Sequence, residues 1–195
     1  MIKSAEIQQI ARNEGVRDTQ IEKDYILSWI LTGISNNENL FNHLLFKGGM
    51  VLKKFYFKDY RYSEVQFDMK KREMIMKYSD LEPCRLQCYS LEEVMIEKMR
   101  SLLSRQQPRD FYDLWYLSEN EELEMSDYLQ EFETKTKYKG LAPSNLEIRI
   151  NQLLPIFKAR WSGSLSSQIR NLPPFEQVSR DLGKHFRKLF KHSTI

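Results

Sequence analysis

The sequence is poor in the residues that build metal centres and disulfide frameworks: its 195 residues hold two cysteines and three histidines. Cys84 and Cys88 have no histidine near them, a pattern that makes no zinc site and fits a reducing compartment. No apolar run approaches the roughly 20 residues that span a bilayer. The opening MIKSAEIQQIARNEG lacks the apolar core of a secretory signal. The expectation is a soluble, cytoplasmic protein with no membrane partner. Seven glycines and six prolines are too few for a low-complexity chain, and neither charge dominates, with 30 Lys and Arg against 27 Asp and Glu. Net charge therefore names no partner.

What is present is the composition of a globular protein, 41% hydrophobic and 12% aromatic, long enough to bury a core. Charge is uneven along it. From Lys158 onward eight Lys and Arg face Glu176 and Asp181, and HFRKLFKH mixes basic with aromatic residues. Such a tail could follow a phosphate backbone, or it could be a solvated helix end whose cations favour the negative dipole.

Two helices are expected first. Ser4 caps one running to about Asn13 and stopped by Gly15; Thr19 and Glu22 have capping-box spacing ahead of IEKDYILSWIL. In the second helix Ile21, Tyr25, Trp29 and neighbouring isoleucines form a broad apolar stripe that reads as core. Asn36 and Asn37 mark a loop. HLLFKGGMVLKKF reads as a short buried strand, a glycine turn and a helix, and VQFDM alternates as a half-buried strand does. EMIMKYS and RLQCYS are further strand candidates. The chain then turns helical over Ser90–Arg105, Pro108–Ser118, Ser126–Thr134, Ser144–Trp161 and Pro173–Lys191, with capping-box spacing at Ser90/Glu93 and Ser144/Glu147. WSGSLSS, Trp161 to Ser167, is the flexible-looking stretch. The expected fold is α+β, a small sheet followed by a helical half.

Gly48 and Gly49 lie between strand and helix, where glycines admit a close ligand and helix-start N–H groups attract anions; an ordinary tight turn is the other reading. The pattern is neither GxGxxG nor a Walker A loop. Lys98 says more. Leu91, Val94, Met95, Met99 and Leu102 share one side of its helix, and Lys98 projects within that apolar sector. A cation there must snorkel, pair with an anion or meet a ligand. The next helix supplies the anions in RQQPRDFYDLWYL, where Asp110 and Asp113 share a face. Either a buried Lys98–Asp110 pair locks two helices, or Lys98 meets a phosphate while Asp110 positions that lysine or a metal.

Strand-KGG-helix, then RYSE, then YSLEEVMIEKMRSLLSRQQPRDFYDL resembles the nucleotidyltransferase family of the AbiEii and AbiGii abortive-infection toxins, whose fold is related to polymerase-β-type nucleotidyltransferases. The resemblance extends upstream to IEKDYILSWIL. It implies a small mixed sheet with N-terminal helices, a shortened nucleotidyltransferase-like α/β core over residues 1–89, and a helical half over 90–195 carrying the Lys and RDxxD motifs. In that family a Gly-Gly-Ser or Gly-Gly-Thr turn holds the nucleotide phosphates, an S-E-D-x-D strand supplies two carboxylates for a divalent metal, and a later lysine and RDxxD segment complete the site. The resemblance implies Lys98, Asp110 and Asp113 as catalytic, and Lys47, Gly48, Gly49, Ser63 and Arg109 as nucleotide-binding. It implies transfer of a nucleotidyl group from a nucleoside triphosphate to an acceptor such as tRNA, with Mg²⁺ as cofactor and a cognate antitoxin as partner.

The sequence departs from that pattern twice. Met50 stands where the family has Ser or Thr, and Val65 and Phe67 stand at the two D-x-D carboxylate positions after Ser63 and Glu64. Apolar side chains cannot ligate a hard cation. A second alignment takes VQFDMKKREMIMKYSD as a later strand of the family fold, with Arg72 and Glu73 as its R-E pair and the D-x-D segment lost after Glu64. Glu64 and Asp68 are then the carboxylates left for metal. The expectation is an impaired nucleotidyltransferase, or an inactive relative that still binds nucleotide, RNA or antitoxin.

Overall fold

The computed structural model describes residues 2–47, 51–56 and 69–192, and these form an α+β fold, mostly helices with one small sheet. The chain divides into two compact units, Met1–Ser90 with Ser167–Arg170, and Leu91–Ser166 with Asn171–Ile195.

In the first unit α1 (Ser4–Glu14) ends where Gly15 takes φ 66°, a left-handed turn that glycine adopts without strain. A Cβ on Gly15 would stand 3.3 Å from Arg170 Cγ, and Arg170 donates to the Asn13 carbonyl at 2.7 Å. The cap expected at Ser4 falls one residue earlier: Lys3 is the extended N-cap, without a side-chain bond, and its carbonyl accepts from Glu6 and Ile7. Likewise α2 (Asp18–Ser35) starts ahead of the Thr19/Glu22 box. Its N-cap is Arg17, and Asp18 in the first turn complements the dipole instead. Asn37 does more than mark a loop, because its side chain accepts from Leu40 N at 3.0 Å and caps a short helix, α3 (Glu38–His43).

The stripe expected on α2 is turned. Ile21, Tyr25 and Leu31 are buried, but so are Asp24, Ser28 and Thr32, while Ile26, Trp29 and Ile30 face out. The buried hydroxyls satisfy themselves on the helix: Ser28 Oγ donates to the Asp24 carbonyl at 2.7 Å, and Thr32 Oγ1 to the Ser28 carbonyl at 3.0 Å.

The predicted strand before the glycines is a single parallel bridge, Phe46 to Cys88. A π-helical turn covers Leu52–Tyr56. Strands β1 (Met69–Glu73) and β2 (Arg85–Tyr89) pair antiparallel, from Met69 opposite Tyr89 to Glu73 opposite Arg85. Most of VQFDM lies outside the described residues. The EMIMKYS strand is a correction: pairing stops at Glu73, and the Ile75 N–H turns to the Lys54 carbonyl at 2.5 Å. Ile21, Val51, Phe55, Met74, Leu86 and Cys88 belong to the core this unit builds.

The second unit is helical: α4 (Leu91–Ser104), α5 (Pro108–Asn120), α6 (Leu129–Tyr138), α7 (Leu146–Leu165) and α8 (Phe175–His192), with 3-10 turns at Met125–Tyr128 and Pro143–Asn145. The Ser144/Glu147 box does not form, because Pro143 opens a 3-10 turn ahead of Ser144. Nor is WSGSLSS a linker. Helix α7 runs through Leu165 because Trp161 and Leu165, one turn apart, are both buried. Phe111 centres an aromatic core, its ring 5.4 Å from that of Phe157 and 6.2 Å from that of Phe186. Burial of such rings supplies most of the cohesion of a unit this small.

Candidate functional site

Lys98 follows the apolar register of α4 inward and is 1% exposed. Helix α5 meets it because Gln107 is extended, Pro108 fixes the first helical φ, and the Asp110 N–H closes that turn on the Gln107 carbonyl at 3.0 Å. This places Asp110 in the first turn, where the helix dipole favours a carboxylate, and Asp113 one turn on. Lys98 Nζ lies 2.9 Å from Asp110 Oδ1 and 2.7 Å from Asp113 Oδ2. Arg105, just past α4, holds Asp110 as a fork, Nε to Oδ2 at 2.8 Å and Nη2 to Oδ1 at 3.0 Å. Both aspartates are fully buried. Two cations and two carboxylates thus balance inside the unit, and the carboxylate oxygens are engaged by N–H donors.

A second buried network sits in the first unit. Asp24, 1% exposed on α2, takes Lys54 Nζ on Oδ2 at 2.8 Å and the Tyr78 hydroxyl at 2.7 Å, with Lys77 Nζ at 3.7 Å. Lys54 also donates to Ser28 Oγ at 2.5 Å and to the Asp24 carbonyl at 3.2 Å; Lys77 turns mainly to Glu14, 2.6 Å away. Burial pushes the Asp24 carboxyl up, but the Lys54 and Lys77 charges and the Lys54 and Tyr78 hydrogen bonds outweigh it and hold it below its ordinary value.

Of the residues singled out in the sequence, Lys98, Asp110 and Asp113 come together. Arg109 is half-buried on the first turn of α5, and Lys47 is half-buried beside the Phe46 bridge. Gly48, Gly49, Met50, Ser63, Glu64, Val65, Phe67 and Asp68 lie outside the described residues. Arg72 and Glu73 end β1; the Arg72 guanidinium stacks 3.8 Å over the Tyr56 ring, and Glu73 pairs with exposed Arg85. Sequence reasoning missed Arg105, although it begins the RQQPRD run. It also missed the Asp24–Lys54 pair, whose signal was a carboxylate inside the apolar stripe of IEKDYIL.

The basic tail is largely compensated within its own unit. Lys158 pairs with Glu176 at 2.8 Å, Lys184 with Asp181 at 3.0 Å and Lys188 with Glu124 at 2.5 Å. His185 stands between two carboxylates, Nε2 to Glu119 at 2.9 Å and Nδ1 to Glu124 at 3.1 Å.

The family described as nucleotidyl transferase AbiEii toxin, Type IV TA system, matches residues 65–191, well over half of the chain. The chain belongs to this family. The matched range opens at Val65, so the IEKDYIL and KGG segments precede it, whereas β1, β2 and the Lys98–Asp113 segment lie inside. No curated protein and no solved structure matches the chain.

AbiEii membership implies a nucleotidyltransferase-like toxin, with a nucleotide substrate, a divalent metal and a cognate antitoxin in general terms. Asp110 and Asp113 do not fit that metal in this arrangement, because their oxygens already accept from Lys98 and Arg105, and a hard cation needs such oxygens for itself. Glu64 and Asp68, the other carboxylates expected to serve it, lie outside the described residues. Among the described residues, no helix is long and apolar enough to cross a membrane.

Proposed function

We propose that this chain is a cytoplasmic, nucleotidyltransferase-like member of the AbiEii toxin family that transfers nucleotides poorly or not at all and acts by binding. The observation that carries this reading is the enclosure of Lys98. An ammonium shared at hydrogen-bond distance by two fully buried aspartates, one of them also clamped by Arg105, is a fastening between α4 and α5. To reach a phosphate, Lys98 would have to leave both carboxylates behind, uncompensated and buried. The sequence points the same way, since Val65 and Phe67 replace the metal-binding pair of the family strand. Asp110 and Asp113 are then positioning residues for Lys98. Lys47, Gly48, Gly49, Ser63 and Arg109 remain the residues for a nucleoside triphosphate, and Glu64 and Asp68 those for any magnesium. Bound there, magnesium would neutralise phosphate charge. An antitoxin and tRNA are the macromolecular partners of this reading.

Labelled nucleoside triphosphates, magnesium and a tRNA pool test it directly. The expected result is no label transferred above background, together with triphosphate binding that magnesium does not enhance. Robust labelling that Asp68→Ala abolishes would overturn the reading and restore an active enzyme.

A further inference from the structure

The outward face of α2 carries its own message. Ile26, Trp29 and Ile30 are 58%, 43% and 54% exposed, and their spacing puts them on one side of the helix. Gly33 continues that side one turn on, and a Cβ built there would meet nothing within 4 Å. The Trp29 ring is braced edge-on against buried Tyr25, at 6.4 Å and 88°, so it is a fixed feature of the surface. Clustered large apolar side chains on a water-soluble unit mark a contact surface. Charged residues bracket the strip: Lys23 lies a turn before it and Glu38 in the turn that follows α2. Neither has an ion-pair partner among the described residues.

We propose that this face seats a second copy of the same chain, with two α2 helices packed antiparallel across a two-fold axis passing between Trp29 and Ile30. The strip is its own complement in that arrangement. Trp29 lies against Ile30 of the second copy, and Ile26, the most exposed of the three, lies over the open space at Gly33. Lys23 comes opposite Asn36 of the second copy, at the turn that carries Glu38, so a cation meets an anion at each end. A two-fold contact repeats every such match, which is why self-complementarity of this kind points to a copy of the chain rather than to an unrelated partner. Absence of a side chain at Gly33 also lets the two helices approach at the short end of helix–helix distances, about 8 Å. One helix per copy makes a small interface, so the dimer should be weak, with a dissociation constant on the order of micromolar.

Sedimentation velocity of the full chain over a micromolar concentration series tests this. A monomer–dimer equilibrium is expected. Ile30→Glu should weaken it about tenfold or more while leaving the circular dichroism unchanged, because the residue is exposed. Gly33→Ile separates the proposal from general stickiness. An apolar residue added to a merely sticky patch would tighten association, whereas here it fills the space Ile26 needs and should loosen the dimer about tenfold. Lys23→Glu should weaken the dimer, and Lys23→Glu with Glu38→Lys should restore it. A chain that stays monomeric at every concentration overturns the proposal, even if the same face binds another protein. So does a dimer that Gly33→Ile tightens or leaves unchanged.

Discussion

Each unit buries a lysine beside an aspartate, yet the two networks are built differently. Around Lys98 the charges balance two against two, and the partners stand on consecutive helices within the segment from Lys98 to Asp113. Around Asp24 a single carboxylate on α2 gathers Lys54 from the π turn and Tyr78 from the stretch after β1, while Lys77 is shared with Glu14 on α1. Neutral groups, Ser28 Oγ and a backbone carbonyl, complete the shell of Lys54. The first network is ionic throughout and joins two neighbouring helices. The second ties distant parts of the chain and leans on hydrogen bonds. Loss of one partner should therefore cost more in the first than in the second.

The largest effect belongs to Asp110. Asp110→Ala leaves Lys98 with Asp113 alone and strands the Arg105 fork, in a place water does not reach. Breaking a buried pair from one side costs about 3–5 kcal/mol, read as the shift of a urea unfolding curve at neutral pH. A loss near that of a surface substitution would show that Lys98 can escape to solvent, and the reading of an enclosed lysine would go with it.

That network could be read from the sequence because a charge interrupted an otherwise unbroken stripe on α4, and the next helix offered carboxylates at matching spacing. The Asp24 network could not, for a physical reason: α2 is apolar on both sides. With Ile26, Trp29 and Ile30 as available for burial as Ile21, Tyr25 and Leu31, periodicity alone does not choose the inward face, and Asp24, Ser28 and Thr32 read as polar filling. What chooses is Lys54, 30 residues on, together with Tyr78, 54 residues on. Helix starts were similarly misplaced where a hydroxyl suggested a cap, at Ser4, Thr19 and Ser144. At Thr19 the acidic first-turn Asp18, and at Ser144 the proline of a 3-10 turn, set the start instead. The α+β class, the start of α4 just after Ser90, β2 and the Lys98–Asp110 partnership followed from local pattern, since their determinants lie close together in the chain.

Asp24→Asn should cost less than Asp110→Ala, about 2 kcal/mol, because Lys54 keeps Ser28 and the carbonyl and the amide oxygen can still accept from Tyr78. Its signature is in the pH dependence. The folded Asp24 carboxyl lies below its ordinary 3.8, so the stability it contributes is fully present above pH 3.8 and is lost as pH falls through the lower folded value. The gap between the native chain and Asp24→Asn should thus be constant at neutral pH and close under strong acid. A gap that stays open in acid would mean that the aspartate acts through its shape and hydrogen bonds rather than through its charge.

Arg85→Ala should do least, and it tests whether burial is what gives the two networks their weight. Arg85 pairs with Glu73 across the end of β1 and β2, but their side chains are 69% and 62% exposed. Water and salt already screen such a pair, and holding two long side chains in one geometry offsets part of what remains. The expected loss is about 0.5 kcal/mol or less and should vanish at high salt. A larger, salt-resistant loss would mean that the strand end depends on this pair for its register. The contrast that separates Asp110 and Asp24 from Arg85 would then rest on position in the fold rather than on exclusion of water.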